Sequence, residues 1–169
     1  AGYRNYYEES KYRAELEVES AKKDLPVTIH RPAVVCGDSR TGETGKYDGV
    51  YYLIHYLLRW PSVLSLINIG NYKVSLNLVP VDFVVDGMAA LAFDEQAIGK
   101  TLQLADPSPL STNQLFNAIA KSIDGHKSKI TAPAKWVRFF LMLPPSPKIT
   151  GLPHSAVPYF FVKQLYDTS

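Results

Sequence analysis

Two hydrophobic periodicities alternate along the chain, and they predict alternating helices and strands. Apolar positions in residues 7–23 recur every three or four residues, which predicts an amphipathic helix with one buried face. The positions on that face are Tyr7, Lys11, Ala14, Val18 and Ala21. A β-branched run then follows over residues 27–36, and it predicts a buried strand whose pairing is interrupted near Pro32.

Turn and capping residues divide the remainder into shorter elements. Glycines among polar residues indicate a long, mobile loop over 37–49, hereafter the 37–49 loop. Gly70 and Asn71 form a turn pair between two β-rich runs, and Asp82 is the expected N-cap of a helix. A capping box is expected at 111–114. The predicted helices are 50–60, 82–93, 112–123, 135–142 and 159–166, and the predicted strands or β-rich runs are 65–69, 73–79, 101–104 and 129–133; residues 143–158 are expected to be irregular.

This order of elements is α/β, yet it begins unusually for that class. The first helix has an apolar face with no preceding strand to cover it. Only residues 27–36 have the continuous apolar character of a buried parallel strand. We therefore expect the chain to be the second half of a larger unit.

Composition narrows the class of protein without identifying an activity. The 169 residues suit one domain, and 18 basic against 16 acidic residues give a net charge of +2. Such a small net charge predicts no strongly basic surface that would bind nucleic acid or an anionic membrane. Cys36 is the single cysteine, no apolar run is long enough to span a bilayer, and the N-terminus lacks a signal-peptide core. A soluble, cytoplasmic protein without a membrane span is the expectation.

The strongest chemical signal is a Tyr-x-x-x-Lys pattern formed by Tyr7 and Lys11. Four-residue spacing places the phenol and the ammonium on the same helix face. A nearby ammonium favours phenolate and so lowers the pKa of a tyrosine, which suits it to exchange a proton with a carbonyl or alcohol oxygen. The alternative is an exposed helix pair without chemistry. Lys11 weighs against that alternative because it lies in the stripe that is expected to be buried.

The sequence around this pair resembles the active-site helix of the extended short-chain dehydrogenase/reductases. Later segments are similar to the branch that contains thioester reductase domains, fatty acyl reductases and male-sterility-type proteins. The segments that carry the resemblance, in chain order, are 5–11, 25–32, 37–42 and 77–86. The resemblance covers roughly residues 3–123, and it implies the C-terminal part of a Rossmann-type doubly wound fold together with a substrate-binding subdomain.

The resemblance implies a role for each matching residue. Tyr7 would be the general acid/base, and Lys11 would support it and hold a ribose hydroxyl of NAD or NADP. The backbone of Pro32, Ala33, Val34 and Val35 would meet the nicotinamide carboxamide. Residues 38–44 would border the cofactor and substrate entrance, where Arg40 is a candidate phosphate or carboxylate contact, with a solvated loop arginine as the simpler alternative.

Two departures from the family pattern concern the nucleotide site. No glycine-rich pyrophosphate turn occurs in the chain, and only six residues precede Tyr7, so the family's upstream serine or threonine is absent. We therefore expect a C-terminal fragment without the nucleotide-binding half and without cofactor bound to this chain alone. Its expected organisation is an active-site helix, strand and cofactor-edge loop over 1–48, followed by a substrate-binding region over 49–169.

Several alternatives stay open at this point. The intact protein is expected to transfer hydride to a carbonyl or acyl thioester, but a nucleotide-sugar epimerase or dehydratase, a hydroxysteroid-type dehydrogenase, or a non-catalytic binding module would fit too. No metal site is expected from the scattered histidines, of which His55 favours a core or cleft wall. Self-association or a bound N-terminal half is expected to cover the first helix. The aromatic residues Tyr51, Tyr52, Tyr56 and Trp60 fit either the wall of an apolar substrate pocket or ordinary core packing. Residues 136–143 favour a helix that covers the substrate subdomain over a contact with a lipid chain, a membrane surface or a partner subunit.

Overall fold

The computed structural model describes residues 6–47, 49–59, 65, 67–70, 73–125 and 128–157, without the side chains of residues 7, 8, 124, 134 and 156. The helices are α1 (Tyr6–Ala21), α2 (Tyr51–Arg59), α3 (Val81–Ala92), α4 (Thr112–Asp124), α5 (Ala134–Leu141) and α6 (Ser146–Thr150). The strands are β1 (Ile29–Pro32), β2 (Val34–Cys36), β3 (Ile67–Asn68), β4 (Leu78–Pro80), β5 (Thr101–Leu104) and β6 (Ile130–Thr131). Short 3₁₀ turns lie at Glu95–Ala97 and His154–Ala156. The α/β class predicted from the sequence is confirmed.

The predicted strand over 27–36 is present as β1 and β2, with the expected interruption beside Pro32. β1 pairs in parallel with β5, and β2 pairs in parallel with β4. The amide of Ala33 donates to Leu104 at 3.0 Å, and the next amide, of Val34, donates to Asn77 at 3.2 Å. The backbone N–H groups of successive residues in an extended chain point to opposite edges of the strand. Because the amides of Ala33 and Val34 bond to different strands, β5 and β4 lie on opposite edges of this run. The run is half-buried rather than buried as predicted, and among the described residues each part pairs along one edge.

In the described parts of the two β-rich runs around Gly70, no strand of one run pairs with a strand of the other. β3 pairs in parallel with β6, and β4 pairs with β2, so each run joins a partner distant in the sequence. Gly70 allows a close approach between segments, since a Cβ there would lie 2.4 Å from the carbonyl oxygen of Thr112. Gly70 therefore lies where the chain passes closely beside the start of α4 at Thr112. Asn71, the second residue of the predicted turn pair, lies outside the described residues.

Local capping signals agree with the structure in one helix and not in another. Ser111 caps α4 through a complete capping box with Gln114, and Gly125 ends the helix with a positive φ of 71°. Asp82 is not an N-cap as predicted, because α3 begins at Val81 and Pro80 occupies the cap position.

Residues 143–158, which were expected to be irregular, contain α6 and a 3₁₀ turn. The helix predicted over 159–166 falls outside the described residues.

Most of the buried apolar surface lies on the C-terminal side of the chain. The larger core packs α2, α4 and α5 together with residues near the C-terminal end of the described chain. Its fully buried members are Leu53, Leu57, Phe116, Ala120, Leu141, Leu152 and Val157. A smaller core of Val79, Val84 and Leu104 joins α3 to the strands.

Three of the five residues of the apolar stripe predicted on α1 are exposed, in contrast to the prediction, whereas Ala21 is half-buried and the side chain of Tyr7 lies outside the described part of the structure. Lys11, Ala14 and Val18 are all exposed, as are Tyr12 and Leu16. The physical reason is that polar side chains toward the C-terminal end of the helix make its contacts with the strands, while no described residue forms a core with its stripe. Because Lys11 is exposed, burial does not require a partner for its ammonium in this structure.

Candidate active site

The helix α1 carries both residues of the Tyr-x-x-x-Lys pattern. Tyr7 and Lys11 are separated by four residues, or about 6 Å along the helix axis, and so share one face. Lys11 is exposed, whereas the side chain of Tyr7 lies outside the described part of the structure. The backbone therefore places the two residues as the sequence predicts, and the contact between their side chains stays a prediction.

Polar contacts anchor the second half of α1 to the strands. Arg31 of β1 donates from Nε to the Glu15 carboxylate at 3.1 Å, and its guanidinium forms an ion pair with the same group. The hydrogen bond from Arg31 lowers the pKa of Glu15, and the same bond raises the pKa of Arg31. Lys22 donates to the hydroxyl of Thr101 in β5 at 3.1 Å. These contacts fix the helix that carries Tyr7 relative to the strands β1 and β5.

The joint between β1 and β2 pairs with different strands on its two edges. The amides of Ala33 and Val34 are used by β5 and by the residue preceding β4. The strand alternation turns the backbone groups of Val35 away from β4, and its side chain is 43% exposed. Pro32 is also exposed. Of the four residues to which the resemblance assigns a nicotinamide contact, Val35 thus has both backbone groups directed away from its paired strand.

Hydrogen bonds organise the first part of the 37–49 loop, whose predicted mobility stays a prediction. The Asp38 carboxylate accepts from the amides of Arg40 at 2.8 Å and Thr41 at 2.9 Å. The Asp38 amide donates to the carbonyl of Glu43 at 2.9 Å, and Gly42 donates back to the Asp38 carbonyl. The two amides lower the pKa of Asp38, that of Thr41 most. Residues 38–43 of the loop therefore form a closed turn organised by one carboxylate.

Asp82 connects this loop to the first turn of α3. Its carboxylate accepts from the Ser39 hydroxyl at 2.7 Å and from the Ser39 amide at 2.9 Å, and these bonds lower the pKa of Asp82. Arg40 lies 3.5 Å from the Asp38 carboxylate and 3.8 Å from that of Asp82. The guanidinium is exposed between two carboxylates, so its predicted contact with a phosphate or carboxylate ligand stays a prediction.

Tyr51 contributes to the loop in a way that no sequence pattern indicated. Its hydroxyl accepts a hydrogen bond from the Gly37 amide at 2.8 Å, and its ring meets Tyr47 edge to face at 5.5 Å. Next to them is an open depression of about 520 Å³, lined by Asp38, Glu43, Thr44, Gly45, Tyr47 and Val81. In the sequence, the only signal for this depression was the aromatic cluster around Tyr51. The contact itself could not be predicted, because Gly37 and Tyr51 belong to separate elements that no local pattern connects.

The other candidate residues distribute between core and surface. Tyr56 is buried in the larger core, where burial raises its pKa to about 12, and Tyr52 packs against that core. His55 is exposed with its ring 6.5 Å from that of Tyr47, and Trp60 lies outside the described residues. Cys36 donates to the carbonyl of Val79, and burial raises its pKa. Within the described residues, no three His, Cys, Asp or Glu side chains group closely enough to hold a metal ion.

Comparison with known proteins identifies similar sequences. A model of a family of NAD-binding domains, described as male sterility protein, matches residues 1–88, just over half of the chain. Fatty acyl-CoA reductase wat of Drosophila melanogaster is 33% identical over 93 residues, which are 55% of this chain and 18% of that protein. Glycine betaine reductase ATRR of Emericella nidulans is 30% identical over 116 residues, 65% of this chain and 8% of that protein. The chain thus spans less than a fifth of these curated relatives.

Solved structures share the fold. The terminal R domain from the myxalamid PKS-NRPS biosynthetic pathway aligns with a TM-score of 0.68 at 26% identity, covering 89% of this chain and 36% of that chain. UDP-glucuronic acid 4-epimerase from Bacillus cereus, solved in complex with NAD, aligns with a TM-score of 0.54 at 16% identity, covering 94% of this chain and 52% of that chain. The second likeness concerns the fold alone. Together the alignments support the Rossmann-type architecture expected from the sequence.

Proposed function

The chain belongs to the male sterility protein family of extended short-chain dehydrogenase/reductases, and on that premise we propose that it supplies the acid/base helix and substrate-binding region of an NAD(P)-dependent oxidoreductase. The observation that carries the proposal is the Tyr7 and Lys11 pair on one face of α1, within the matched segment. The proposed substrates are carbonyl compounds or acyl thioesters.

Tyr7 is the proposed proton donor. The dihydronicotinamide, when bound, supplies the hydride that adds to the carbonyl carbon. Tyr7 gives its phenolic proton to the carbonyl oxygen, so a ketone or aldehyde becomes an alcohol. An acyl thioester becomes a hemithioacetal, which loses its thiol to leave an aldehyde. Lys11 stabilises the phenolate that remains, because an ammonium one helical turn away favours the charged form of the phenol.

The residues present fit the nicotinamide and ribose end of a dinucleotide. Lys11 is exposed on α1, where its ammonium can donate to a ribose hydroxyl. At the Pro32–Val35 joint, the backbone groups of Val35 point away from β4 and are the proposed partners of a carboxamide. Arg40 provides a cation at the edge of the 37–49 loop. The sequence contains no glycine-rich turn for the pyrophosphate, so that part of the cofactor is assigned to no residue of this chain.

Oxidation of NADH or NADPH tests the proposal. The full-length protein that contains this chain is incubated with acyl-coenzyme A thioesters and with simple ketones and aldehydes, and the loss of absorbance at the nicotinamide band is followed. A Tyr7→Phe variant should lose about 100-fold or more in kcat, as expected for removal of a general acid. The matched control is Tyr6→Phe, since Tyr6 is the neighbouring tyrosine and is 90% exposed.

Two outcomes contradict the proposal. Absence of NAD(P)H oxidation and of NAD(P)H binding in the full-length protein would favour the non-catalytic alternative. Full turnover by Tyr7→Phe would remove the assigned role of Tyr7.

For Lys11, replacement by Met should raise KM for the cofactor and lower kcat, whereas replacement of the exposed Lys23 by Met should change neither.

The sugar epimerase alternative differs in its redox balance. An epimerase returns the hydride to the substrate it came from, so epimerised sugar nucleotide forms without net change of NAD. Net oxidation of NADPH that tracks aldehyde or alcohol formation favours the reductase. A hydroxysteroid-type dehydrogenase would show net redox chemistry with steroid alcohols and none with acyl thioesters. The product analysis therefore separates the three enzymes.

The assembly and location of the protein are further parts of the proposal. The exposed stripe of α1, with Tyr12 and Leu16, is the proposed contact for a second copy or for an N-terminal half. Light scattering should then detect species larger than one chain, and a monomer at high concentration would contradict self-association. A cytoplasmic location agrees with the single, partly buried Cys36.

A further inference from the structure

An exposed aromatic surface lies on α5, far along the sequence from the proposed acid/base helix. Trp136 is 72% exposed and Phe139 is 64% exposed. Val137 and Leu141, on the same helix, are buried in the larger core. The α5 surface is defined by the exposed residues Lys135, Trp136, Arg138, Phe139, Phe140 and Met142. The sequence favoured a helix that covers the substrate subdomain over a contact with lipid, a membrane surface or a partner subunit, and the structure buries only one side of this helix.

Helix geometry places an aromatic ring at the outermost point of this surface. Residues of an α-helix follow one another at about 100°, so Phe139 lies about 180° from the midpoint of Val137 and Leu141. Lys135 and Trp136 flank Phe139 on its two sides. Phe139 therefore projects directly away from the core, with a cation on one side and an indole on the other.

The charge along this part of the sequence has one sign. None of the 16 acidic residues of the chain lies between Asp124 and Asp167, whereas six of the 18 basic residues do. Four of these six are described, and all four are exposed: Lys129, Lys135, Arg138 and Lys148. The net charge of +2 predicted no footprint for an anionic membrane, but that value averages over the chain and hides this local excess.

We propose that the α5 surface binds peripherally to an anionic lipid bilayer. A helix that lies in a membrane interface presents Trp and Phe to the acyl boundary and Lys or Arg to the anionic headgroups. The α5 surface has both components, with Phe139 outermost, Lys135 and Trp136 on its two sides, and Arg138 nearer the buried face. None of the helices among the described residues is long and apolar enough to cross a bilayer, so the contact is at the surface.

Charge distinguishes this occupant from a second copy of the chain. Two α5 surfaces facing each other would bring Lys135 and Arg138 of each copy against like charges, which opposes association. Protein interfaces also deplete lysine at their cores, whereas lipid interfaces accommodate it beside aromatic residues. An anionic headgroup layer satisfies the cations and the aromatic rings together.

Vesicle flotation of the full chain tests this proposal. Vesicles of phosphatidylcholine containing about 30 mol% phosphatidylglycerol should carry the chain upward, and vesicles of phosphatidylcholine alone should carry much less. Raising NaCl from about 50 mM to about 500 mM should release most of the bound chain, because salt screens the headgroup charge. Binding equal on both vesicle types would overturn the electrostatic part of the proposal.

Paired variants locate the contact. The double variants Trp136→Ser/Phe139→Ser and Lys135→Glu/Arg138→Glu should each lower the vesicle partition coefficient about tenfold or more. Phe93→Ser is the aromatic control, since Phe93 is 92% exposed but precedes Asp94 and Glu95. Lys100→Glu is the charge control, because Lys100 is exposed in the loop before β5. Both controls should bind as the unmodified chain does.

Two results would overturn the lipid assignment. One is unchanged partition of both α5 variants. The other is absence of vesicle binding together with an oligomer that Trp136→Ser/Phe139→Ser dissociates in light scattering, which would assign the surface to a second copy. Circular dichroism and the melting temperature check that each variant is folded, and the charge variant tests the proposal even where the aromatic variant is unstable. NAD(P)H oxidation is not part of these readouts, so they are independent of the proposed enzyme function.

Discussion

Replacing Gly37 by alanine should open the 37–49 loop. A Cβ at this position would lie 2.6 Å from the carbonyl oxygen of Glu43 and 3.1 Å from the hydroxyl of Tyr51. The nearer contact is with backbone, so the loop itself must move to restore ordinary van der Waals distance. That movement separates the Gly37 amide from Tyr51, now at 2.8 Å, and the Asp38 amide from Glu43, now at 2.9 Å.

The magnitude follows from these two hydrogen bonds. Each contributes about 0.5–1.5 kcal/mol to stability, so Gly37→Ala should lower the free energy of unfolding by about 1–3 kcal/mol. Gly45→Ala is the matched control in the same loop, since a Cβ there meets nothing within 4 Å. That control should leave stability unchanged or raise it by up to about 1 kcal/mol, because alanine restricts the unfolded chain.

Urea unfolding followed by circular dichroism measures both variants. Tyr51→Phe should cost about 1 kcal/mol by removing the acceptor of the Gly37 amide. Because Gly37→Ala already breaks that contact, the double variant should be more stable than the sum of the single losses predicts. A Gly37→Ala variant as stable as the Gly45→Ala control would refute the account of the loop, and strict additivity with Tyr51→Phe would remove the Tyr51 contact from it.

Three further predictions concern titration and packing. Hydrogen bonds from Ser39 lower the pKa of Asp82, so the ionised Asp82 contributes stability that is present above the unfolded pKa of about 3.9 and lost at lower pH. The difference in urea midpoint between the unmodified chain and Asp82→Asn should therefore close on acidification. A difference that stays constant with pH would contradict this. The pKa of Tyr56 is raised to about 12, so the protonated phenol contributes stability that is present below the unfolded pKa of about 10 and is lost as the pH rises from about 10 to about 12. Over that pH range the melting temperature of Tyr56→Phe should fall less steeply than that of the unmodified chain. Phe116→Ala should cost about 3–5 kcal/mol in urea unfolding through a cavity in the larger core, and a loss below about 1 kcal/mol would mean that Phe116 is not packed as described.

Local interactions explain which elements were predictable from the sequence. The capping box of Ser111 and Gln114 and the following Gly125 delimit α4 within one residue, because each acts over three or four positions. The bounds of β5 agree with the prediction, and Pro32 interrupts the preceding run as expected. The Tyr7 and Lys11 spacing likewise specified a shared helix face, since α-helical periodicity alone determines it.

Contacts between distant segments were settled by the tertiary arrangement. The parallel pairing of β3 with β6, the bond from Gly37 to Tyr51, and the link from Ser39 to Asp82 join residues that no local pattern connects. Asp82 shows the difference most directly, because its position beside a helix start predicts a cap while its carboxylate instead holds the 37–49 loop. Burial of an amphipathic face likewise depends on a partner element, so the same periodicity places α5 half in the core and leaves the stripe of α1 exposed.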